Sequence, residues 1–184
     1  MKDINRRQFL KLGLFAAAAG LMPLTARATM RESVAPERSL AFYNTHTGES
    51  IQTVYWAEGQ YIPAALAEIN TLLRDHRNNE VAEMSRDLLD LLHGLNSAID
   101  PRQPFHVISG YRSPSTNAML AARSDGVAKH SMHLEGKAID IRVPGCELIV
   151  VRRAALALQS GGVGYYPGSG FVHVDVGRVR QWQG

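Results

Sequence analysis

Cysteine is almost missing from this chain: among its 184 residues, Cys146 is the one thiol. That scarcity excludes an intramolecular disulfide framework, a Cys-built zinc knuckle and a cysteine-held iron–sulfur cluster within the chain. No dinucleotide-type glycine pattern occurs either, so nothing supports a redox subunit. No apolar run reaches the ~20 residues that a spanning helix needs. There is no internal repeat, and no low-complexity tract outside the first thirty residues. Positive charge is scarcer than it looks. The formal net charge is +3, but Lys2, Arg6, Arg7, Lys11 and Arg27 face only Asp3 in residues 1–28, so the remainder sits near −1. Without a dense basic patch in that remainder, nucleic acid is excluded as the expected partner.

What is present begins with an address. Asn5-Arg6-Arg7-Gln8-Phe9-Leu10-Lys11 is a twin-arginine export pattern. Leu12 to Leu24 is apolar but too short to span, and Ala26-Arg27-Ala28 supplies a small-x-small cleavage site. Residues 1–28 therefore read as a signal peptide handled by the twin-arginine translocase, with an uncleaved anchor as the alternative. Export implies a periplasmic or cell-surface location, where a lone thiol is safest buried. Residues 29–38 read as a tether, leaving 39–184 as one domain. At 45% apolar and 20% charged residues, the composition is that of a foldable globular protein. No segment argues for an oligomer, so a monomer is expected.

The pattern along the domain predicts an α+β fold, with helices packed beside a mainly antiparallel sheet. Strands are expected at Leu40–Tyr43, Ile51–Trp56, Phe105–Ile108, Ala138–Val143, Val163–Tyr166 and Phe171–Val176. Helices are expected from Pro63, from Val81 to Leu95, from Ser115 to Arg123 with its alanines and Leu120 inward, and from Glu147 to Gln159.

Three side chains of metal-ligand type stand out. His133 lies in the loop Ser131-Met132-His133-Leu134-Glu135-Gly136, whose glycine lets the chain turn. Asp140 lies on a strand between Ile139 and Ile141, where an unpaired carboxylate is expensive to bury. His173 alternates with Val172 and Val174, so it shares a face with Asp175. Two neutral imidazoles and one carboxylate suit zinc, with a fourth position left for water. His76 and His93 read as solvent-facing, and His106 as an ordinary strand residue. His46 sits in a turn that a hydrogen bond explains as well as a site does. Of Tyr165 and Tyr166, alternation puts one on each face, so one could line a peptide groove.

The pattern Ser131-x-His133-x-x-Gly136-x-Ala138-x-Asp140 with a downstream strand histidine resembles the signature of zinc D-Ala-D-Ala peptidases related to hedgehog domains. Asn44-Thr45-His46-Thr47-Gly48-Glu49, Ile108-Ser109-Gly110-Tyr111-Arg112-Ser113 and Gly162-Val163-Gly164-Tyr165-Tyr166-Pro167 extend the likeness. With Phe171-Val172-His173-Val174-Asp175, they resemble the murein endopeptidase K-like group of exported zinc peptidases. The resemblance implies a hedgehog/DD-peptidase-like fold, a Zn(2+) cofactor and His133, Asp140 and His173 as its ligands. It implies that Arg112 faces the substrate, steadying carbonyl charge or holding a carboxylate. Ser131 and Tyr166 are read as substrate-binding residues. Many relatives place an acidic base three residues before the last histidine, where this chain has Gly170. Asp175 is then the first candidate for the base or, equally, for a residue that orients His173. Glu135 and His130 are weaker ones.

The implied activity is hydrolysis of peptidoglycan peptide cross-links, D-Ala–diaminopimelate or diaminopimelate–diaminopimelate, making room for wall growth. A D,D-carboxypeptidase and a zinc-containing wall-binding module without catalysis are the alternatives, the latter favoured by Gly170.

Overall fold

Strand β1 (Arg38–Asn44) turns at Thr45–Gly48 and pairs back on β2 (Ser50–Ala57), and the short β3 (Gln60–Tyr61) folds onto β2. The structure, a computed structural model, describes residues 36–101, 103–123, 128 and 130–184. The export leader and most of the stretch read as a tether lie outside the described residues. Helices α1 (Pro63–Leu72) and α2 (Arg86–Ile99) follow, then β4 (Phe105–Ser109), α3 (Pro114–Ala121) and a single 3-10 turn at Met132–Glu135. The chain ends with β5 (Ala138–Arg142), α4 (Leu148–Leu158), β6 (Gly162–Tyr166), β7 (Phe171–Asp175) and β8 (Arg180–Gln183). Among the described residues, no helix is long and apolar enough to cross a membrane.

All eight strands form one sheet in the order β3-β2-β1-β4-β5-β7-β6-β8. The sheet is mixed, which corrects the expectation of a mainly antiparallel one. β1 runs parallel to β4, and β6 runs parallel to β8. The first parallel pair follows from the long crossover through α1 and α2, since parallel neighbours cannot be joined by a tight turn. The second follows from crowding. β7 already has β5 on one side and β6 on the other, so the chain leaving it must settle outside β6, in β6's direction.

Alternation sorts the strands into two faces. Ile139 and Ile141 of β5, Val163 of β6, and Val172 and Val174 of β7 join the core with Leu88, Leu92 and Leu95 of α2 and Val151 of α4. Removing a leucine from such a core costs roughly 2–5 kcal/mol. The helix expected from Val81 starts only at Arg86, with Ser85 at its N-cap. Met84 is buried nevertheless, because its backbone N–H is given to Asn70 Oδ1 at 2.9 Å and Ser85 N–H to the Gly136 carbonyl at 2.9 Å. Tertiary hydrogen bonds outweigh helical periodicity there. In α3 the buried residues are Thr116 and Asn117, not the alanines or Leu120. Cys146 is only half-buried.

Candidate metal centre and its cleft

Antiparallel pairing of β5 and β7 sets Asp140 directly opposite His173. The 3-10 turn brings His133 to the same point, and Gly136 ends that turn at φ +64, where a side chain would also strike the Glu83 carbonyl. His173 Nδ1 lies 2.8 Å from Asp140 Oδ1, and His133 Nε2 lies 3.3 Å from the same oxygen. The two ring nitrogens are 3.2 Å apart. Ligands held at 2.0–2.1 Å in a tetrahedron are separated by about 3.3 Å, so this triangle has the dimensions of one tetrahedral face. All three residues are buried. Burial opposes the charge of Asp140, but His133 and His173 hold its carboxyl well below the ordinary range.

The far side of each imidazole selects the nitrogen left bare. His133 Nδ1 is 2.7 Å from the Gly110 carbonyl, an acceptor only, so Nδ1 donates and Nε2 is free to ligate. His173 Nε2 donates to Asp175 Oδ2 at 3.1 Å, leaving Nδ1 free. Asp175 is fully buried and accepts further from Arg180 Nη1 at 3.0 Å, Arg180 Nη2 at 2.7 Å, Gly162 N at 3.1 Å and Gly177 N at 2.8 Å. Burial alone would raise its pKa, yet His173, Arg180 and those backbone donors hold it well below the usual carboxylate range. Asp175 thus sits across the ring from the candidate ligand nitrogen.

Two glycines open this side of the site. Gly162 and Gly164 put no side chains on the cleft face of β6, where a Cβ at 162 would overlap Arg180 and one at 164 would overlap Trp182. The parallel register pairs Gly162 with Arg180 and Gly164 with Trp182. Residues of β8 therefore reach across β6, Arg180 to Asp175 and Trp182 to within 5.2 Å of the His173 ring centroid. Sequence reading missed both, because β8 has only Arg180 and Trp182 alternating with glutamines to announce it. The pairing of this alternation with the Gly-x-Gly of β6 was the available signal. Tyr166 stacks on Phe171 at 4.6 Å and accepts the Trp182 Nε1–H at 2.7 Å. Tyr165 points to the other face, under Arg152.

Arg112 enters from the opposite wall. Its Nη2 lies 4.0 Å from Asp140 Oδ2, and its Nε is buried with no hydrogen-bond partner among the described residues. Burial lowers its pKa, with Asp140 acting against that. The Arg112 backbone N–H is given to the His133 carbonyl at 3.1 Å. Behind it, Ser113 gives its N–H and hydroxyl to buried Asp75 at 2.9 and 2.7 Å, while Tyr111 N–H binds the Leu73 carbonyl at 2.8 Å. Asp75 was not anticipated, since a lone aspartate after an apolar helix looks like surface.

The resulting cleft, about 400 Å³, is lined by Arg112, His130, Ser131, Met132, Tyr166, Phe171, Arg180 and Trp182 around the three candidate ligands. Ser131 caps the turn, its hydroxyl accepting the His133 N–H at 3.4 Å. Glu135 pairs with Lys137 at 2.7 Å and does not line the cleft. His76, expected to face solvent, stacks on His46 at 3.8 Å between centroids. Burial, with His46 beside it, pushes its pKa down to about 4. His46 itself binds the Ile108 carbonyl at 3.0 Å.

Residues 32–182 match the family described as peptidoglycan L,D-endopeptidase MepK. The peptidoglycan L,D-endopeptidase MepK of Escherichia coli strain K12 is 44% identical over 98% of this chain and 98% of its own. A protein of Haemophilus influenzae named probable peptidoglycan L,D-endopeptidase MepK is 42% identical, covering 99% of this chain and 97% of its own. With the family's match spanning the candidate metal centre, the Arg112 wall and nearly all the residues between and around them, the chain belongs to the peptidoglycan L,D-endopeptidase MepK family.

Proposed function

We propose that this protein is a periplasmic zinc endopeptidase that hydrolyses peptide cross-links of peptidoglycan. The observation that carries the reading is the convergence of His133 Nε2, Asp140 Oδ1 and His173 Nδ1 within 2.8–3.3 Å of one another. Zinc held there would supply a bound water with a pKa near about 7 and polarise the scissile carbonyl. Among the cross-links open to it, the diaminopimelate–diaminopimelate bond joins an L centre to a D centre. The L,D designation of the relatives favours that bond over the D,D bond of D-Ala–diaminopimelate.

The chain's own residues divide the remaining work. Arg112, whose Nε is buried without a partner among the described residues, steadies charge growing on the carbonyl oxygen or grips a carboxylate of the cross-link. Asp175 acts through His173, fixing its tautomer and orientation. Among the described residues lining the cleft, His130 offers an imidazole that is not one of the candidate ligands. It is assigned the base. Ser131 and Tyr166 line the substrate path. Residues 1–28 deliver the chain through the twin-arginine translocase, and the domain works as a monomer.

The test is chromatography of purified sacculi digested by wild type and by His133→Ala, with and without a chelator. New uncross-linked muropeptides appear only with wild-type, metal-loaded protein. Release of terminal D-Ala from monomers, with dimers intact, would mark a carboxypeptidase instead. Wall binding with no product would leave only the non-catalytic module.

A further inference from the structure

An indole N–H can donate a hydrogen bond but not accept one. Trp182 gives its Nε1–H to the Tyr166 hydroxyl, so that oxygen is an acceptor on this side and its own proton points elsewhere. Phe171 closes one face of the phenol by stacking. Tyr166 lines the cleft that holds the candidate ligands, as does Arg112. The hydroxyl proton is therefore left for a partner other than the indole, on a residue that lines the cleft.

Two neighbours pack around Trp182. Gly164 seats the indole with no room for a side chain between them. The Arg180 guanidinium lies 4.8 Å over the ring and is itself tied to Asp175. One connected set therefore holds the indole, the phenol and the His173 orienting carboxylate.

We propose that Tyr166 donates its hydroxyl hydrogen bond to the substrate oxygen on which negative charge grows, and that Trp182 is the positioning residue that fixes the polarity of this donor. The inference rests on the peptidase reading and adds a neutral donor opposite the cationic Arg112. No proton is transferred: the phenol keeps it, as a hydrogen-bond donor to an oxyanion does.

Tyr166→Phe removes only the hydroxyl, Trp182→Phe keeps an aromatic wedge without the N–H, and Trp182→His restores a ring N–H. The readout is affinity of the metal-loaded protein for two dipeptide analogues: a phosphinate, which carries the charged oxygens, and a reduced amide, which has no oxygen there. Phosphinate affinity falls about 10–100-fold in Tyr166→Phe and less in Trp182→Phe, while reduced-amide affinity stays within about twofold. Trp182→His recovers part of the loss, and the double variant is no weaker than Tyr166→Phe alone. In turnover, kcat falls with KM unchanged.

Wild-type phosphinate affinity in Tyr166→Phe, or no phosphinate binding by wild type, overturns the donor role. Full additivity of the two losses overturns the positioning role. If Trp182→Phe melts too early to assay, the ¹⁵N spectrum of Tyr166→Phe decides. One of the two indole N–H signals shifts if the bond exists, and an unmoved pair refutes it. A wild type that binds phosphinate yet cleaves no muropeptide contradicts the peptidase reading, while the phosphinate comparison still judges Tyr166.

Discussion

Strands β5, β6 and β7 have two faces that are almost equally buried and differ in kind. On the helix side, Ile139, Ile141, Val163, Val172 and Val174 are no more than 3% exposed; on the cleft side, Asp140, His173 and Asp175 are no more than 8% exposed. Burial on the first face is rewarded without regard to direction, so the stabilisation is shared among many contacts. On the second it is a cost that only specific partners offset. Hence Asp175 accepts from His173, Arg180 and two backbone N–H groups, and the neighbouring strand carries glycine so that those partners can reach it. Equal burial, then, says little about role. The partner list says more.

The largest effect on metal binding and turnover that would sharpen this contrast is expected from Asp175→Asn. An amide turns an N–H₂ toward donors that need an acceptor, so His173 loses its fixed orientation. Metal affinity and kcat/KM should each fall roughly 10–100-fold, by metal titration and dimer hydrolysis. Lost turnover with unchanged metal affinity would instead make Asp175 the base.

On the other face, Ile139→Ala should cost about 2–5 kcal/mol in urea unfolding, while metal affinity and kcat of the folded fraction stay at wild type. A large drop in kcat would break the separation of faces.

Asp75 offers a smaller effect on stability than Ile139, and the most pH-dependent one. Burial works against its charge, but hydrogen bonds from Thr116, Ser113 and Arg77 hold its pKa below the ordinary value. A carboxyl depressed in the folded state adds stability above its unfolded pKa of about 4, lost as pH falls through the folded value. Wild type should therefore exceed Asp75→Asn by about 1–3 kcal/mol at pH 7, the difference closing below about pH 4. A pH-independent difference would show that the charge is irrelevant there.

The candidate ligands could be read from the chain because each lies in a short segment with its own signal. Asp140 is a carboxylate between two isoleucines, His173 alternates with two valines, and His133 precedes a turn glycine. Helix α1 was readable from Pro63 for the same reason. Nothing local announced that β8 would lie outside β6, that Ser85 would bond Gly136 and delay α2, or that Asp75 would brace Ser113. Asp175 shows the boundary well. Alternation put it on the face of His173, but its place across the ring from the candidate ligand nitrogen depends on Arg180, Gly162 and Gly177.

By itself, then, the order of residues determined which side chains are candidates for the chemistry and which faces of strands and helices are apolar, since periods of two and 3.6 are properties of one segment. Tertiary structure alone decided which strands became parallel, which nitrogen of each histidine was left bare, and which way the Tyr166 hydroxyl is held. Those outcomes depend on groups far apart in sequence meeting at hydrogen-bond distance, and no single segment contains both partners.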